Sequence, residues 1–296
     1  KQWDPEGNLL MDGQVSEGMQ VGQWKKFRKG KDGKMYLAIE ENYKDGYLEG
    51  DYRSYHSAHT LAETGQYEFG RKEGTWTYYG PDGVVVRSVE YKFDERHGIS
   101  KLMHANGKLQ YEMTYKREKL DGLMSIYDQD GKLLVKLKMK LDKIDEVIEQ
   151  AEGYYLVSGV ISHYYPHCGG AYGEGRTFMG GTLFIRDGSK NDPEKKVIRK
   201  VNSVEGGRYF VMLRPGTYCF VDNRKLEITS LTNYISKDHG QYYTSRGDSC
   251  YEQWFYSCDG TLELSNSNVL DLHFQSSDRC FTGDDPCLDY HGPYPP

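Results

Sequence analysis

The chain has 296 residues, with 38 Lys plus Arg against 44 Asp plus Glu, a net charge of −6 and a hydrophobic fraction of 37%. This acidic balance speaks against nucleic acid and an anionic membrane surface as partners, and no apolar run approaches the length that spans a bilayer. The length admits two domains, and the 26 Tyr, 10 Phe and 4 Trp suit a thin aromatic β-array better than a thick aliphatic core.

From the N-terminus, the densest basic run is KKFRKGKDGK (25–34), which reads as a solvated turn. A 24-residue period then dominates. Gly50, Gly74, Gly98 and Gly122 keep that step, as do Tyr43, Tyr67, Tyr91 and Tyr115, and a second glycine set at Gly83, Gly107 and Gly131. Such self-similarity marks a stacked array whose units bury their apolar faces against one another. One unit reads as strand TWTYY (75–79), turn GPDG (80–83) and strand VVVRSVEY (84–91), the next turn ending at Gly98. HANG (104–107) and DQDG (128–131) repeat the turn, and Gly22 precedes Gly50 by 28 residues, an insertion of four. About five hairpins are expected between residues 7 and 138. The glycines are read as positions of positive φ or close backbone approach. Trp24, Tyr52 and Trp76 are candidate binding aromatics, although a single-layer array favours aromatics as its stacked core.

These units resemble the MORN (membrane occupation and recognition nexus) family, particularly its bacterial variant. The resemblance rests on GQWKKF (22–27), GDYRSY (50–55) and GTWTYY (74–79), with weaker echoes in GISKLM (98–103) and GLMSIY (122–127). It implies a β-hairpin array and a role in binding lipid headgroups or protein partners.

KLLVKLKMK (132–140) alternates like a final strand, and Asp142 is placed to cap a short helix carrying Ile144, Val147, Ile148 and Ala151. The domains are therefore expected at 1–140, a connecting helix at 141–152, and 153–296. Beyond Tyr154 short strands alternate with Gly/Pro turns: YYLVSGVIS, GGTLFIRDG (180–188), VIRKVNSV (197–204), RYFVML (208–213) and TYCFV (217–221). That pattern predicts a sandwich. The start SGVIS, the strand TLFIR and the run VNSVEGGRYFVMLRPGTYCFV resemble the transthyretin-like, carboxypeptidase-regulatory-like fold, with Ser203 or Glu205 where an acid is usual. CGG (168–170), LFIRDGSKN (183–191), CYEQW (250–254) and the ending CFTGDDPCLDYHGPYPP resemble a group of secreted Bacteroidetes-type proteins. Residues 226–238 and 249–258 are expected to be helical and 262–274 a strand.

All six cysteines, Cys168, Cys219, Cys250, Cys258, Cys280 and Cys287, fall in the second half. An even number confined to one domain predicts disulfides and an extracytoplasmic protein whose leader has been removed. The candidate metal ligands are His163, His167 and Cys168, with His273, Cys280 or Cys287 from the tail, but paired ligand spacing is missing and bonded cysteines cannot ligate as thiolates. GDSC (247–250) reads as a helix start rather than a hydrolase motif, and DQDG and TGDDP lack the spacing of a calcium loop. The expected protein is all-β, non-enzymatic and without cofactor, and binds a protein or glycan through its repeat surface. The rival readings are a metal-dependent hydrolase using His163, His167 and His273, and a lipid-surface module.

Overall fold

The structure is a computed structural model that describes residues 1–168, 174–283 and 285–293. It is all-β with a few short helices and divides into two compact units, Lys1–Ala151 and Glu152–Pro296.

The first unit is one 14-stranded antiparallel sheet in which strands pair with their neighbours along the chain, except that the short Tyr47–Leu48 pairs only with Met35–Lys44, which also pairs with Gly50–Ser57. Its period rests on two kinds of turn. At one end of the strands lie the GPDG-type loops, where Gly80, His104 and Asp128 each donate an N–H to the residue four on. At the other end are two-residue turns, Glu17-Gly18, Asp45-Gly46, Phe69-Gly70, Phe93-Asp94, Arg117-Glu118 and Leu141-Asp142, all with positive φ. Such turns match the right-handed twist of paired strands. Gly98 is therefore not at a turn. It sits inside the strand Glu95–Met103 with φ 110°, where the pairing register slips between Arg96 and Ser100. A bulge at this point needs a residue free to adopt positive φ, which glycine supplies.

The expected connecting helix is instead a strand, Lys143–Gln150, paired with Leu133–Lys140. Its pattern misled because a bulge displaces the alternation. Ile144 faces Met139 and Val147 faces Leu137, so two inward residues stand three apart, the spacing of a helix face. Asp142 is the second residue of a hairpin turn and accepts from the Leu120 N–H at 2.9 Å, rather than capping a helix. The core of this unit runs through Trp76, Val89, Met113, Tyr115, Met124, Leu137 and Met139, with cross-strand pairs such as Trp76 opposite Val89 and Met124 opposite Leu137.

In the second unit, Tyr155–Tyr165 pairs with Arg176–Met179, Arg208–Leu213 and, in parallel, Phe274–Ser277. A second sheet orders Arg199–Asn202, Thr182–Asp187, Gly216–Asp222 and Gly260–Leu264. Val157, Ile161, Tyr209, Val211 and Phe274 of the first sheet share one core with Ile185, Val201, Phe220 and Leu264 of the second. The unit is a β-sandwich. Three disulfides, Cys168–Cys280, Cys219–Cys258 and Cys250–Cys287, take up all six cysteines. Residues 226–238 form no single helix: Asn223–Glu227 and Leu231–Ile235 are separate short turns, capped by Asp222 and Ser230. Asp248 opens the helix Asp248–Tyr256 but does not cap it, since Gly247 holds the cap position. Residues 262–274 are interrupted between the strands Gly260–Leu264 and Phe274–Ser277.

Candidate functional site

Two places present side chains that folding alone does not explain. The first is the row of two-residue turns. Each turn bonds to the one before it: Gly46 N–H to Gln20 O, Gly70 to Leu48, Asp94 to Lys72, Glu118 to Arg96 and Asp142 to Leu120. Where the second turn residue is acidic rather than Gly, its carboxylate reaches the same preceding turn. Asp94 accepts from Lys72 N–H at 2.7 Å, and Glu118 takes both the backbone N–H and Nε of Arg96, the latter at 2.8 Å. The ladder ties successive turns into a continuous row.

On that row stand Phe69, 71% exposed, Phe93, 50%, and Leu141, 62%, with Tyr47, 62%, beside the Asp45-Gly46 turn. Phe69, Phe93 and Leu141 adopt φ of 49°, 53° and 48°. A left-handed backbone is unfavourable for a bulky side chain, and Asn, Asp or Gly would suit it better. Their exposure and their left-handed backbone together make them candidate binding residues. The periodicity of Phe69 and Phe93 was open to inspection in the sequence. Their exposure was not, because an aromatic in a strand-rich repeat reads first as core.

The aromatics singled out from the sequence have another role. Trp76 is completely buried: Gly65 lies against its indole, Lys72 Nζ stands 3.8 Å from its ring centroid, and its Nε1 donates to Gln66 O at 3.1 Å. Tyr52 and Tyr67 pack on the same indole at 5.4 and 5.0 Å, and Trp24 covers Gly13. These rings are the stacked interior of the array. Burial raises the hydroxyls of Tyr52 and Tyr91 to about 12 and those of Tyr43, Tyr67 and Tyr111 still further.

The second place is one end of the sandwich. Along Tyr155–Tyr165 the inward face runs Val157, Gly159, Ile161, His163, Tyr165; along the parallel neighbour it runs Phe274, Ser276, Asp278. Both faces turn from apolar to polar at the same level, where a pocket of about 640 Å³ opens. His163 joins the two strands. Its Nδ1 lies 2.7 Å from Ser276 Oγ and its Nε2 lies 2.9 Å from Asp278 Oδ1. A carboxylate accepts the Nε2–H, which leaves the Nδ1 lone pair to accept from the Ser276 hydroxyl. That relay polarises a hydroxyl as a general base would. Of the glycine N–H groups lining the pocket, Gly180 donates to Ile161 O and Gly181 to Ser203 Oγ.

The remaining sequence candidates are dispersed. Cys168 is bonded to Cys280, His167 is exposed, and His273 Nδ1 accepts the Val160 N–H at 3.0 Å. Among the described residues no three His, Cys, Asp or Glu side chains converge as metal ligands. TGDDP includes a residue outside the described ones. GDSC starts the helix Asp248–Tyr256, and its Cys250 is bonded to Cys287.

Comparison with known families finds a match in the second half of the array. Residues 72–93, 96–117 and 120–140 match the MORN repeat variant. Each matched MORN segment opens two residues after a two-residue turn and contains the bulge glycine, Gly74, Gly98 or Gly122. The turn ladder continues outside the matched residues, at Asp45-Gly46 and Phe69-Gly70, with the same bonds. A comparison with curated proteins returns no match.

Proposed function

We propose that the protein is an extracytoplasmic binding scaffold whose MORN-type array takes a protein partner along the row of two-residue turns. The observation that carries this reading is the exposure of Phe69 and Phe93 at positive φ, with Tyr47 and Leu141 extending the same edge. Apolar anchors flanked by charges of both signs suit a protein surface: Lys44 and Asp45, Glu68 and Arg71, and Lys92 and Glu95 alternate along the row. The same carboxylates disfavour an anionic membrane. Three disulfides support an oxidising compartment, and no helix among the described residues is long and apolar enough to cross a membrane. The sandwich of the second unit, which resembles transthyretin-like domains in sequence, then serves as a rigid, disulfide-tied companion module.

The test places a photo-crosslinking residue at position 69 or 93 in the full chain, with Val84 at the opposite end of the strands as control, against envelope proteins of the producing organism. A protein captured from 69 and 93 but not from 84, and lost in the Phe69→Ser, Phe93→Ser double variant, is the expected result. Equal capture from both ends, or retention by the double variant, overturns the reading. Phe-dependent sedimentation with anionic vesicles would give the row to a membrane instead.

A further inference from the structure

We propose that the pocket at the end of the sandwich binds a short neutral oligosaccharide, a site separate from and independent of the turn row. Its volume of about 640 Å³ lies in the range of small-molecule sites. Its walls carry three carboxylates, and each already has a partner within the protein. Asp222 is held by Arg224, Asp259 by the buried ammonium of Lys225 at 2.7 Å, and Asp278 by His163. Asp222 and Asp259 are thus compensated by cations, while Asp278, bonded to a neutral His163, keeps its negative charge, which disfavours an anionic ligand. What the wall leaves available is hydrogen-bonding capacity.

Asp278 uses only Oδ1 toward His163, and its second oxygen has no partner among the described residues. Ser276 donates to His163 Nδ1, so its oxygen lone pairs face the pocket as acceptors of fixed direction. A polyol supplies the donors that such a set requires. Beside these groups lie apolar faces exposed to water: Phe178, 59% exposed, and Tyr165, whose ring packs at 4.4 Å on His163. An aromatic face next to planar polar groups matches a pyranose ring, which offers C–H bonds on one face and hydroxyls around its edge. A wholly apolar ligand would leave the Asp278 oxygen without a partner, and an anion would meet that free carboxylate oxygen. The His163 relay is, on this reading, a positioning device that aims Ser276 and Asp278.

The experiment uses the purified, oxidised full chain and saturation-transfer NMR followed by calorimetry with maltotriose, cellotriose, xylotriose and chitotriose, and with a sulfated heparin disaccharide as the charged control. At least one neutral trisaccharide is expected to bind, the charged control not. Phe178→Ala and Asp278→Asn are each expected to weaken binding about tenfold or more. Phe178 is exposed, so its variant keeps the native melting temperature and reports on binding alone. No binding of any neutral probe up to about 10 mM, preference for the sulfated disaccharide, or binding unchanged in Phe178→Ala would overturn the proposal.

Discussion

The backbone of Gly65 lies flat against the indole of Trp76, so that a Cβ at position 65 would fall within the ring. Gly13 and Trp24 repeat the relationship. These two glycines, unlike those of the 24-residue series, are needed for space rather than for φ. Gly65→Ala must push the Trp76 ring off its seat among Tyr52, Tyr67 and Lys72. Overpacking of this kind costs about 1–3 kcal/mol. Chemical denaturation followed by tryptophan fluorescence measures it, and an unchanged midpoint would show that the ring has room to move.

Phe69 and Phe93 behave in the opposite way. Replacing either with Asn removes a bulky side chain from a left-handed position without uncovering any core, and stability is expected to hold or rise by about 1 kcal/mol. Loss of partner capture together with unchanged or raised melting temperature would separate function from folding at these sites. A clear drop in melting temperature would instead make the rings structural.

Glu118 carries the turn ladder at its most buried point. Arg96 is 4% exposed, donates from its backbone N–H and Nε to Glu118, and lies 4.2 Å from the Tyr115 ring centroid. Glu118→Ala leaves that guanidinium without its carboxylate and is expected to cost about 2–3 kcal/mol. Glu112→Ala, which removes an exposed pair with Lys101, should change stability by less than about 1 kcal/mol. Urea denaturation of the two variants side by side decides whether the ladder or mere surface charge is at work.

Alkaline pH should loosen the array through its tyrosines. Desolvation raises the folded-state pKa of Tyr52 and Tyr91 to about 12, above the ordinary value of about 10. A raised pKa in an acid means that folding favours the neutral hydroxyl. The resulting stability is complete below pH ~10 and is lost as pH rises toward 12. Tyrosinate absorbance should therefore lag in the native protein and rise together with unfolding. Titration of these tyrosines at their ordinary value in folded protein would contradict their burial.

Reduction separates the two units. The array contains no cysteine, whereas Cys168–Cys280, Cys219–Cys258 and Cys250–Cys287 all close loops in the second unit. A reductant should lower only the transition of the sandwich, by about 2–5 kcal/mol for each bond removed, and leave that of the array in place. A joint shift of both transitions would show that the units unfold as one.

Residue spacing alone was enough to establish the repeat array, its hairpins, the strand-rich second half and the disulfide-forming cysteines. A 24-residue step forces equivalent residues into equivalent environments whatever their detailed geometry. Tertiary structure decided what spacing cannot carry. The bulge between Ile144 and Val147 mimics a helical interval and is exposed as a strand only by its pairing with Leu137 and Met139. Exposure of Phe69 and burial of Trp76 depend on which end or face of the sheet each occupies. The meeting of His163 with Ser276 and Asp278, 113 and 115 residues apart, arises from a parallel pairing between two strands distant in the chain. No local pattern encodes such a pairing, because it is selected by the shared core of Val157, Ile161 and Phe274 rather than by the polar residues it brings together.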